Sequence, residues 1–398
     1  MNMLKERPRL VYVVTLPATA RILLKGQLAF MRRNGFDVTI IASPGPDLET
    51  VAKREGVRVV DLPMRRAMAP GADLSSLQAM VRTLSELRPH IVNASTTKAG
   101  LLGSLAARIL SVPVRLYLVR GLRLETASPL TRKILGVTEQ VASAAATDVI
   151  AVSESLRQAY STGGFCPERK LRVLGSGSSN GVNVSAFERN PERVARAREI
   201  RDRLGIRSDA LVLGFLGRPV AEKGMDELLG VMERLSSPKF ALVVVGGSLA
   251  GDELDAAFTA RARKLPGVFL VPNVEDPADY LAAFDLLVFP SYREGFPNAP
   301  LEAAASGIPT VGFDVTGVKD AIVDGQTGRI VPVHDVEALT AAIQRYAEDD
   351  RLRREHGEHA RLRVVREFSN ERVWELWREE YLGLCRRYGL PCPEPLTA

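Results

Sequence analysis

The residues best suited to chemistry lie in the second half of the chain. Arg218 and Lys223 stand five residues apart in the segment 217–226, directly after the apolar run 211–216. Two cations in a loop at the end of a strand can hold adjacent phosphates from different directions. The spacing therefore predicts an anion site. A surface loop with an internal Glu222–Lys223 ion pair is the alternative interpretation.

Two carboxylates follow further along the chain. Glu294 lies in the loop after the apolar run 286–289, and Glu302 lies in the first turns of a helix that we expect to begin near Asn298, with Asn298 as its cap. The start of that helix offers N–H groups and a positive dipole end to a phosphate. The carboxylates can accept hydrogen bonds from two sets of hydroxyl groups, which suits a sugar and a ribose.

The elements that must position these residues alternate regularly along the chain. Short apolar runs alternate with amphipathic helical stretches, which predicts an α/β protein with parallel strands and ligands at their carboxyl ends. Two such series predict two Rossmann-like doubly wound domains facing a cleft. The expected strands are 10–15, 37–42, 57–61, 91–93, 114–119, 149–152 and 171–174, then 211–216, 240–245, 268–271, 286–289, 310–313 and 328–331.

Composition limits the function classes. The 398 residues are 46% hydrophobic and 25% charged, which is typical of a globular protein of about two domains at roughly 150 residues each. Three scattered cysteines predict neither a disulfide framework nor a zinc cluster. No apolar run reaches the roughly 18 residues of a membrane-spanning helix.

Charge is divided unevenly between the two halves. Residues 1–180 hold 25 Lys and Arg against 13 Asp and Glu, a net +12, whereas residues 181–398 hold 28 against 34, a net −6. A basic half attracts phosphates or anionic lipid, although solvated helix faces explain the same excess. Nucleic acid is not expected, because the cations are dispersed and no aromatic residues are interleaved with them.

The domain junction is expected after Asn180. We predict an N-terminal domain over 1–180, a C-terminal domain over 181–370, and a helix over 371–398 that packs back on the N-terminal domain. The stretch 175–181 is a weak match to a dinucleotide fingerprint, because Asn180 replaces the third glycine, and we interpret it as a flexible interdomain turn. Acidic residues 348–350 are interpreted as a solvated helix end, so no metal site is predicted.

Nearly the whole chain resembles the GT-B glycosyltransferases of family GT4, especially the capsule, exopolysaccharide and lipid-linked oligosaccharide transferases. The resemblance rests on Gly217-Arg218 with Lys223-Gly224, on Glu294 and Glu302 with seven residues between them, and on the stretches 98–103 and 120–126. It implies a retaining enzyme that moves a hexose or N-acetylhexosamine from a nucleotide sugar, with UDP expected, to a lipid-linked saccharide. It implies no metal and no cofactor.

The resemblance also assigns roles to residues. Arg218 and Lys223 would hold the donor diphosphate, Glu294 would contact the donor sugar and Glu302 the ribose, while the base would meet backbone near Asn273 and Val274. Domain closure over the donor is expected to assemble this site. The other expected donor-binding residues are Gly217, Gly295, Phe296, Pro297 and Asn298, and the expected acceptor-binding residues are Lys98, Arg123 and Glu125.

Arg120 departs from the family pattern, in which a histidine commonly follows the fifth strand. Arginine cannot act as a general base at neutral pH. Two interpretations therefore stay open: Arg120 binds an acceptor phosphate or a donor oxygen in catalysis, or the chain has lost ordinary activity. The alternatives to a transferase are accordingly a silent nucleotide-binding scaffold and a nucleotide-sugar epimerase.

The expected location is cytoplasmic, at the inner face of the membrane. The basic first half and the amphipathic segment 21–33 would suit a lipid-linked acceptor there. Packing of that segment against the core explains the same apolar stripe.

Overall fold

The computed structural model describes residues 6–65, 69–246, 256–272, 274 and 276–393. Within these ranges the chain forms two compact units. Unit 1 holds the residues up to Asn180 and those from Asn370 onward, and unit 2 holds Gly181–Ser369.

Unit 1 is built on a parallel sheet of seven described strands in the order β3-β2-β1-β4-β5-β6-β7. Its strands are β1 Arg9–Val13, β2 Asp37–Ala42, β3 Arg58–Asp61, β4 Ile91–Ser95, β5 Val114–Val119, β6 Asp148–Ala151 and β7 Leu171–Val173. Its helices are α1 Pro17–Leu23, α2 Gln27–Arg33, α3 Asp47–Glu55, α4 Pro70–Leu87, α5 Thr97–Ile109, α6 Pro129–Ala145 and α7 Glu154–Thr162, joined by the C-terminal helix α17 Asn370–Arg387. Short 3-10 helices lie at Arg123–Thr126 and Glu168–Lys170.

Unit 2 repeats this plan with a parallel sheet of six described strands in the order β10-β9-β8-β11-β12-β13. Its strands are β8 Leu211–Leu216, β9 Phe240–Val245, β10 Val268–Val271, β11 Leu286–Phe289, β12 Thr310–Phe313 and β13 Gly328–Val331. Its helices are α8 Val184–Phe187, α9 Pro191–Arg203, α10 Met225–Leu235, α11 Ala256–Ala262, α12 Ala278–Ala282, α13 Asn298–Ala305, α14 Val318–Ala321, α15 Val336–Glu348 and α16 Asp350–Glu367, with a 3-10 helix at Ala221–Lys223.

The strands are mostly apolar because helices cover both faces of each sheet. Every residue of β4, β11 and β12 is buried, as parallel strands between two helix layers require. The two parallel sheets with alternating helices confirm the predicted pair of Rossmann-like domains. All six strands predicted for the second half have the observed bounds, whereas β1 lies over Arg9–Val13 rather than 10–15.

Helix α17 packs within unit 1. Trp377 and Tyr381 are buried, and the hydroxyl of Tyr381 donates to the hydroxyl of Tyr12 at 3.1 Å. The indole N–H of Trp374 donates to the side-chain oxygen of Asn180 at 2.7 Å, and the amide of Asn180 donates to the carbonyl of Lys25 at 3.1 Å. Asn180 is therefore anchored by side-chain hydrogen bonds, whereas the sequence predicted a flexible turn over 175–181.

The apolar stripe of segment 21–33 is used inside unit 1. Leu24, Leu28 and Met31 are almost fully buried, and Phe30 lies 5.6 Å from the Trp374 ring, centroid to centroid. Core packing, the second interpretation of this segment, therefore accounts for its pattern. No helix among the described residues is both long and apolar enough to span a membrane.

Candidate functional site

The order of strands in unit 2 reverses between β8 and β11. Open α/β sheets bind ligands at the carboxyl ends of the strands where this reversal occurs. The loop after β8 carries Arg218 and Lys223, and the loop after β11 carries Glu294. The topology thus brings together the two segments that the sequence singled out.

Gly224 fixes the distance between these two loops. It ends the 3-10 helix with φ +72°, a left-handed conformation, and a Cβ at this position would lie 2.2 Å from the carbonyl oxygen of Pro290. Only glycine allows such a close backbone approach. Lys223 is consequently held beside the loop that contains Glu294.

Lys223 and Glu294 form an ion pair. Their side chains are only 16% and 15% exposed, so the pair is largely shielded from water. The hydroxyl of Ser291 donates to the same Glu294 carboxylate at 2.9 Å, and the ammonium group also lies 5.9 Å from the centroid of the Phe289 ring. The Glu294 carboxylate is therefore fixed before any ligand arrives.

Arg218 belongs to a second charged cluster in the same loops. Its guanidinium lies 3.8 Å from the Glu222 carboxylate, which also accepts a hydrogen bond from Arg293 at 3.0 Å. Burial alone would raise the pKa of Glu222, but the charge and hydrogen bond of Arg293, together with the charges of Lys223 and Arg218, outweigh that effect and lower it. Glu222 thus stays ionised and places two guanidinium groups near each other.

Arg293 was missed by the sequence reasoning. Its Nε is buried and has no hydrogen-bond partner among the described residues. The available signal was its position directly before Glu294. Spacing alone did not identify it, because its relation to Glu222 depends on how two loops meet.

Helix α13 carries Glu302 near its start. Pro297 occupies the cap position, so the expectation that Asn298 caps the helix is wrong. Asn298 is the first helical residue, and no side-chain hydrogen bond caps this end. A side chain already inside the helix does not reach back to the first N–H groups as a cap does.

Glu302 is half-buried as a residue, but its carboxyl group is enclosed by the protein and has no counter-charge among the described residues. Burial, with a smaller contribution from the negative charge of Asp276, raises its pKa to about 7. No side-chain hydrogen bond to this carboxyl group is found in the part of the chain that the structure describes. Hydroxyl groups of a ligand would stabilise this carboxyl group by donating hydrogen bonds to it.

The segment from Gly295 to Asn298 follows a fixed path. The ring of Phe296 packs against Phe368, with centroids 5.2 Å apart, so this side chain belongs to the core of unit 2. A Cβ on Gly317, whose φ is +79°, would lie 2.4 Å from the carbonyl oxygen of Gly295. Phe296 therefore has a structural role, and the backbone of this segment and the Asn298 side chain remain as candidates for ligand contact. Asn273, expected near the base, lies outside the described residues.

A brace of three further side chains supports the loop that holds Glu294. The Tyr292 hydroxyl donates to both carboxylate oxygens of Glu227 at 2.6 Å, and His334 Nδ1 lies 3.0 Å from one of them. The backbone N–H of Tyr292 donates to the carbonyl of Glu222 at 3.0 Å. This brace joins α10 and the loops after β11 and β13. Its residues are far apart in sequence, which is why spacing did not reveal it.

In unit 1, Arg120 follows β5 at the carboxyl edge of the sheet. Its Nη1 donates to the Ser179 hydroxyl at 2.6 Å, while its buried Nε has no partner among the described residues. Burial lowers the pKa of Arg120 to about 10, against the opposing influence of Tyr12 and Tyr381. Arg120 therefore stays charged near neutral pH and has no carboxylate partner in the part of the chain that the structure describes, which makes it a candidate anion ligand.

The other expected acceptor residues are dispersed near this edge. Lys98, in the first turn of α5, forms an ion pair with Asp73 at 2.6 Å. Arg123 is exposed and Glu125 is half-buried, and both lie in the 3-10 helix Arg123–Thr126. Asn93, on β4, donates to the Tyr381 hydroxyl at 2.7 Å. No group of three metal-ligating side chains occurs within the described ranges.

Comparisons with known proteins agree over both units. A family model described as a glycosyl transferase 4-like domain matches residues 5–177, and one described as glycosyl transferases group 1 matches residues 196–363. The capsular polysaccharide biosynthesis glycosyltransferase CapM of Staphylococcus aureus is 36% identical over 355 residues, which cover 89% of this chain and 91% of CapM.

More distant proteins match over similar lengths. The UDP-Gal:alpha-D-GlcNAc-diphosphoundecaprenol alpha-1,3-galactosyltransferase of Escherichia coli is 23% identical over 340 residues, 84% of this chain and 86% of that enzyme. The crystal structure of Anabaena Alr3699/HepE in complex with UDP and glucose superposes with a TM-score of 0.79 at 19% identity, covering 94% of this chain and 99% of that one. At this identity the likeness concerns the fold.

Proposed function

The chain belongs to the GT4 family of GT-B glycosyltransferases, and from this premise we propose that it moves a hexose or N-acetylhexosamine from a UDP-sugar to a lipid-linked saccharide in surface polysaccharide synthesis. The observation that carries the proposal is the shielded Lys223–Glu294 pair beside Arg218 at the strand reversal of unit 2. Similarity to CapM supports the role in surface polysaccharide synthesis, and similarity to the E. coli galactosyltransferase, whose name gives a diphosphoundecaprenol-linked saccharide, supports the class of acceptor.

Arg218 and Lys223 act on the donor diphosphate in this proposal. Their charges lie at the carboxyl end of β8, where an anionic ligand would replace part of their present pairing with Glu222 and Glu294. Positive groups fixed before the reaction stabilise charge that develops on a leaving group. We assign the largest part of catalysis to this effect, which requires no metal ion.

Glu294 and Glu302 act on hydroxyl groups. Release of Lys223 to the diphosphate leaves the Glu294 carboxylate, still held by Ser291, to accept hydrogen bonds from the donor sugar. Glu302, buried and short of donors, accepts from the ribose. Backbone atoms of Gly217, Gly295, Pro297 and Asn298 complete the proposed donor site.

The proposed reaction retains the configuration at the sugar's anomeric carbon. The bond from that carbon to the diphosphate oxygen breaks, the acceptor oxygen bonds to the carbon on the same face, and the acceptor proton passes to the departing diphosphate. No protein base is needed in this sequence, which fits an arginine at position 120. Arg120 instead binds an acceptor phosphate or a donor oxygen, and Lys98, Arg123 and Glu125 contribute to acceptor binding.

The units divide the work in this proposal, unit 1 binding the acceptor and unit 2 the nucleotide sugar. A lipid-linked acceptor places the protein at the cytoplasmic membrane surface. The net charge of +12 on residues 1–180 supports such a location.

Product analysis with radiolabelled UDP-sugars and detergent-solubilised lipid-linked acceptors tests the proposal. We expect label to pass into the lipid fraction with one donor, with the anomeric configuration kept. Release of UDP without acceptor-bound label, a donor epimer, or nucleotide binding without turnover would each contradict it.

A further inference from the structure

Unit 1 carries a concentration of exposed aliphatic side chains on two neighbouring helices. Among the eleven large hydrophobic residues exposed in the described ranges, five lie on α5 and α6. On α6 they recur at helical spacing and form one outward stripe, with Ile109 at the end of α5 beside it. The five residues and their exposed fractions are Ile109 61%, Leu130 72%, Ile134 44%, Val137 59% and Val141 39%.

This stripe continues into an open groove between the two helices. The groove is lined by five aliphatic residues, Leu101 and Leu105 of α5 and Ile134, Val137 and Val141 of α6, and by Lys133 and Thr138, so its surface is mostly apolar. We call the five aliphatic residues, together with Ile109 and Leu130, the α5–α6 face. The buried side of α6 packs inward through Leu135 and Ala142, so the exposed stripe is additional to what the fold requires.

The charged side chains that α5 and α6 themselves expose beside this face are positive. Helix α5 contains no acidic residue, and Glu139, the acidic residue of α6, is buried and accepts hydrogen bonds from Tyr117 and Tyr160. Arg108, Arg132 and Lys133 are exposed, and none of them has a carboxylate partner among the described residues. An apolar strip with cations at its border is complementary to an anionic bilayer.

A second pair of exposed aliphatic residues, on α16, lacks the unpaired cations found beside the α5–α6 face. Leu362 and Val365 of α16 are 51% and 44% exposed. Their neighbouring arginines are neutralised locally, because Arg361 pairs with Glu358, and Arg363 and Arg366 pair with Glu367. The three arginines next to these aliphatics are therefore less available to a lipid headgroup than the cations of α5 and α6.

We propose that the α5–α6 face docks unit 1 on an anionic lipid bilayer, with its aliphatic side chains in the boundary between headgroups and acyl chains. This inference rests on the proposed function, which brings the protein to a lipid-linked acceptor, and it replaces segment 21–33 as the membrane-binding element. Arg108, Arg132 and Lys133 then contact the phosphates of the headgroups.

A second copy of the chain is a poorer occupant of this face. A two-fold symmetric contact places the same patch against itself. The like charges of Arg132 and Lys133 would then face their own copies without an acidic residue between them. An anionic surface satisfies these cations, whereas a second copy repels them.

Vesicle co-sedimentation of the full-length protein tests the proposal. The probe is a vesicle of phosphatidylethanolamine with about 30% phosphatidylglycerol and no lipid-linked saccharide, so that binding is independent of acceptor recognition. The test variant is Ile134→Glu with Val137→Glu. The matched control, Leu362→Glu with Val365→Glu, changes two aliphatics of similar exposure and equal spacing on α16. A milder variant, Arg132→Gln with Lys133→Gln, removes charge without placing acid on the apolar stripe.

We expect the wild type and the α16 control to bind these vesicles, and the Ile134/Val137 variant to bind at least about tenfold more weakly. The Arg132/Lys133 variant should lose affinity for the anionic vesicles and much of the salt dependence of binding. All variants should keep the wild-type thermal shift on adding UDP, which shows that they fold.

Three results would overturn the proposal: a wild type that ignores the vesicles, equal losses in the test and control variants, or a test variant that keeps vesicle binding while a dimer becomes a monomer on size exclusion. Transfer to a detergent-solubilised acceptor is measured separately. If the wild type shows no such transfer, the proposed function is refuted. The role of the α5–α6 face is decided by vesicle binding alone.

Discussion

Lys223 is the residue on which the proposed chemistry most depends, because its charge is shielded from water and already paired with Glu294. A donor diphosphate competes with Glu294 for this ammonium group. The ion pair therefore keeps both side chains in place until a ligand binds. In the proposal, Lys223 then contacts the diphosphate and Glu294 contacts the sugar. Arg218 has a comparable relation to Glu222.

Replacing either member of the pair should slow turnover strongly. We expect Lys223→Ala and Glu294→Ala each to reduce kcat/KM by at least about tenfold, since losing such a contact costs about 2–4 kcal/mol of transition-state stabilisation. Steady-state rates with the identified donor check this. Lys319→Ala is the control, because Lys319 also pairs with an aspartate, at 3.3 Å, but is half exposed. Near-normal rates in the two site variants would show that Lys223 and Glu294 do not have the proposed roles.

Glu302 makes a pH-dependent prediction. Burial raises its folded-state pKa to about 7, so its contribution to stability is fully present below its unfolded-state pKa, near 4.5, and is lost as the pH rises through 7. Glu302→Gln should therefore stabilise the protein at pH 8.5 relative to pH 5.5, on the order of 2 kcal/mol, while weakening UDP binding. Denaturant unfolding at the two pH values and calorimetry with UDP measure these effects.

Glu139 supplies the comparison for that experiment. Burial also raises its pKa to about 7, but it accepts hydrogen bonds from Tyr117 and Tyr160 within unit 1. Glu139→Gln should leave UDP affinity unchanged. If Glu302→Gln binds UDP as tightly as the wild type does, Glu302 is not the ribose ligand.

At the scale of elements, the sequence defined the strands far better than the contacts between loops. The strands of unit 2 are apolar runs bounded by polar or turn residues, so their bounds could be read directly. Asn298 was misassigned as a cap because cap geometry depends on where the backbone leaves the helical region, here at Pro297. The sequence did not identify Arg293, Tyr292 and His334 as site residues. Their partners Glu222 and Glu227 lie more than sixty residues away along the chain.

Gly224 allows a direct test of how the two loops are joined. Gly224→Ala introduces both a strained left-handed conformation and a Cβ 2.2 Å from the Pro290 carbonyl oxygen. Gly205→Ala is matched in backbone, at φ +70°, but its Cβ would meet open space. We expect the Gly205 variant to lose about 1 kcal/mol of stability and keep its activity. The Gly224 variant should lose more stability and most activity, and equal behaviour of the two would contradict the proposed loop coupling.

At the scale of the whole molecule, the chain returns to unit 1 through α17 after completing unit 2. The indole N–H of Trp377 donates to the carbonyl of Ser179 at 3.1 Å, next to the hydroxyl that Arg120 contacts. Helix α17 thus stabilises the carboxyl edge of the unit 1 sheet, where the acceptor is proposed to bind. A local sequence pattern shows that α17 is amphipathic but not which unit it covers.

Removing the Trp377 side chain should destabilise unit 1. Trp377→Ala leaves a cavity in a site that is 2% exposed, with an expected cost of about 3–5 kcal/mol, whereas Tyr388→Ala, at 37% exposure, should cost little. Thermal unfolding measures both. Calorimetry at low temperature should find UDP affinity unchanged in Trp377→Ala, because the proposed donor site is built from unit 2 residues. A large loss of UDP affinity would show that this site depends on unit 1.

A calorimetric comparison of UDP with uridine isolates the contribution of the donor diphosphate. In the proposed site, Arg218 and Lys223 hold the donor through this diphosphate. Arg218→Ala and Lys223→Ala should each weaken UDP binding by at least about tenfold, equivalent to 1.4 kcal/mol, and leave uridine binding unchanged. Equal UDP affinity in the wild type and both variants would contradict the claim.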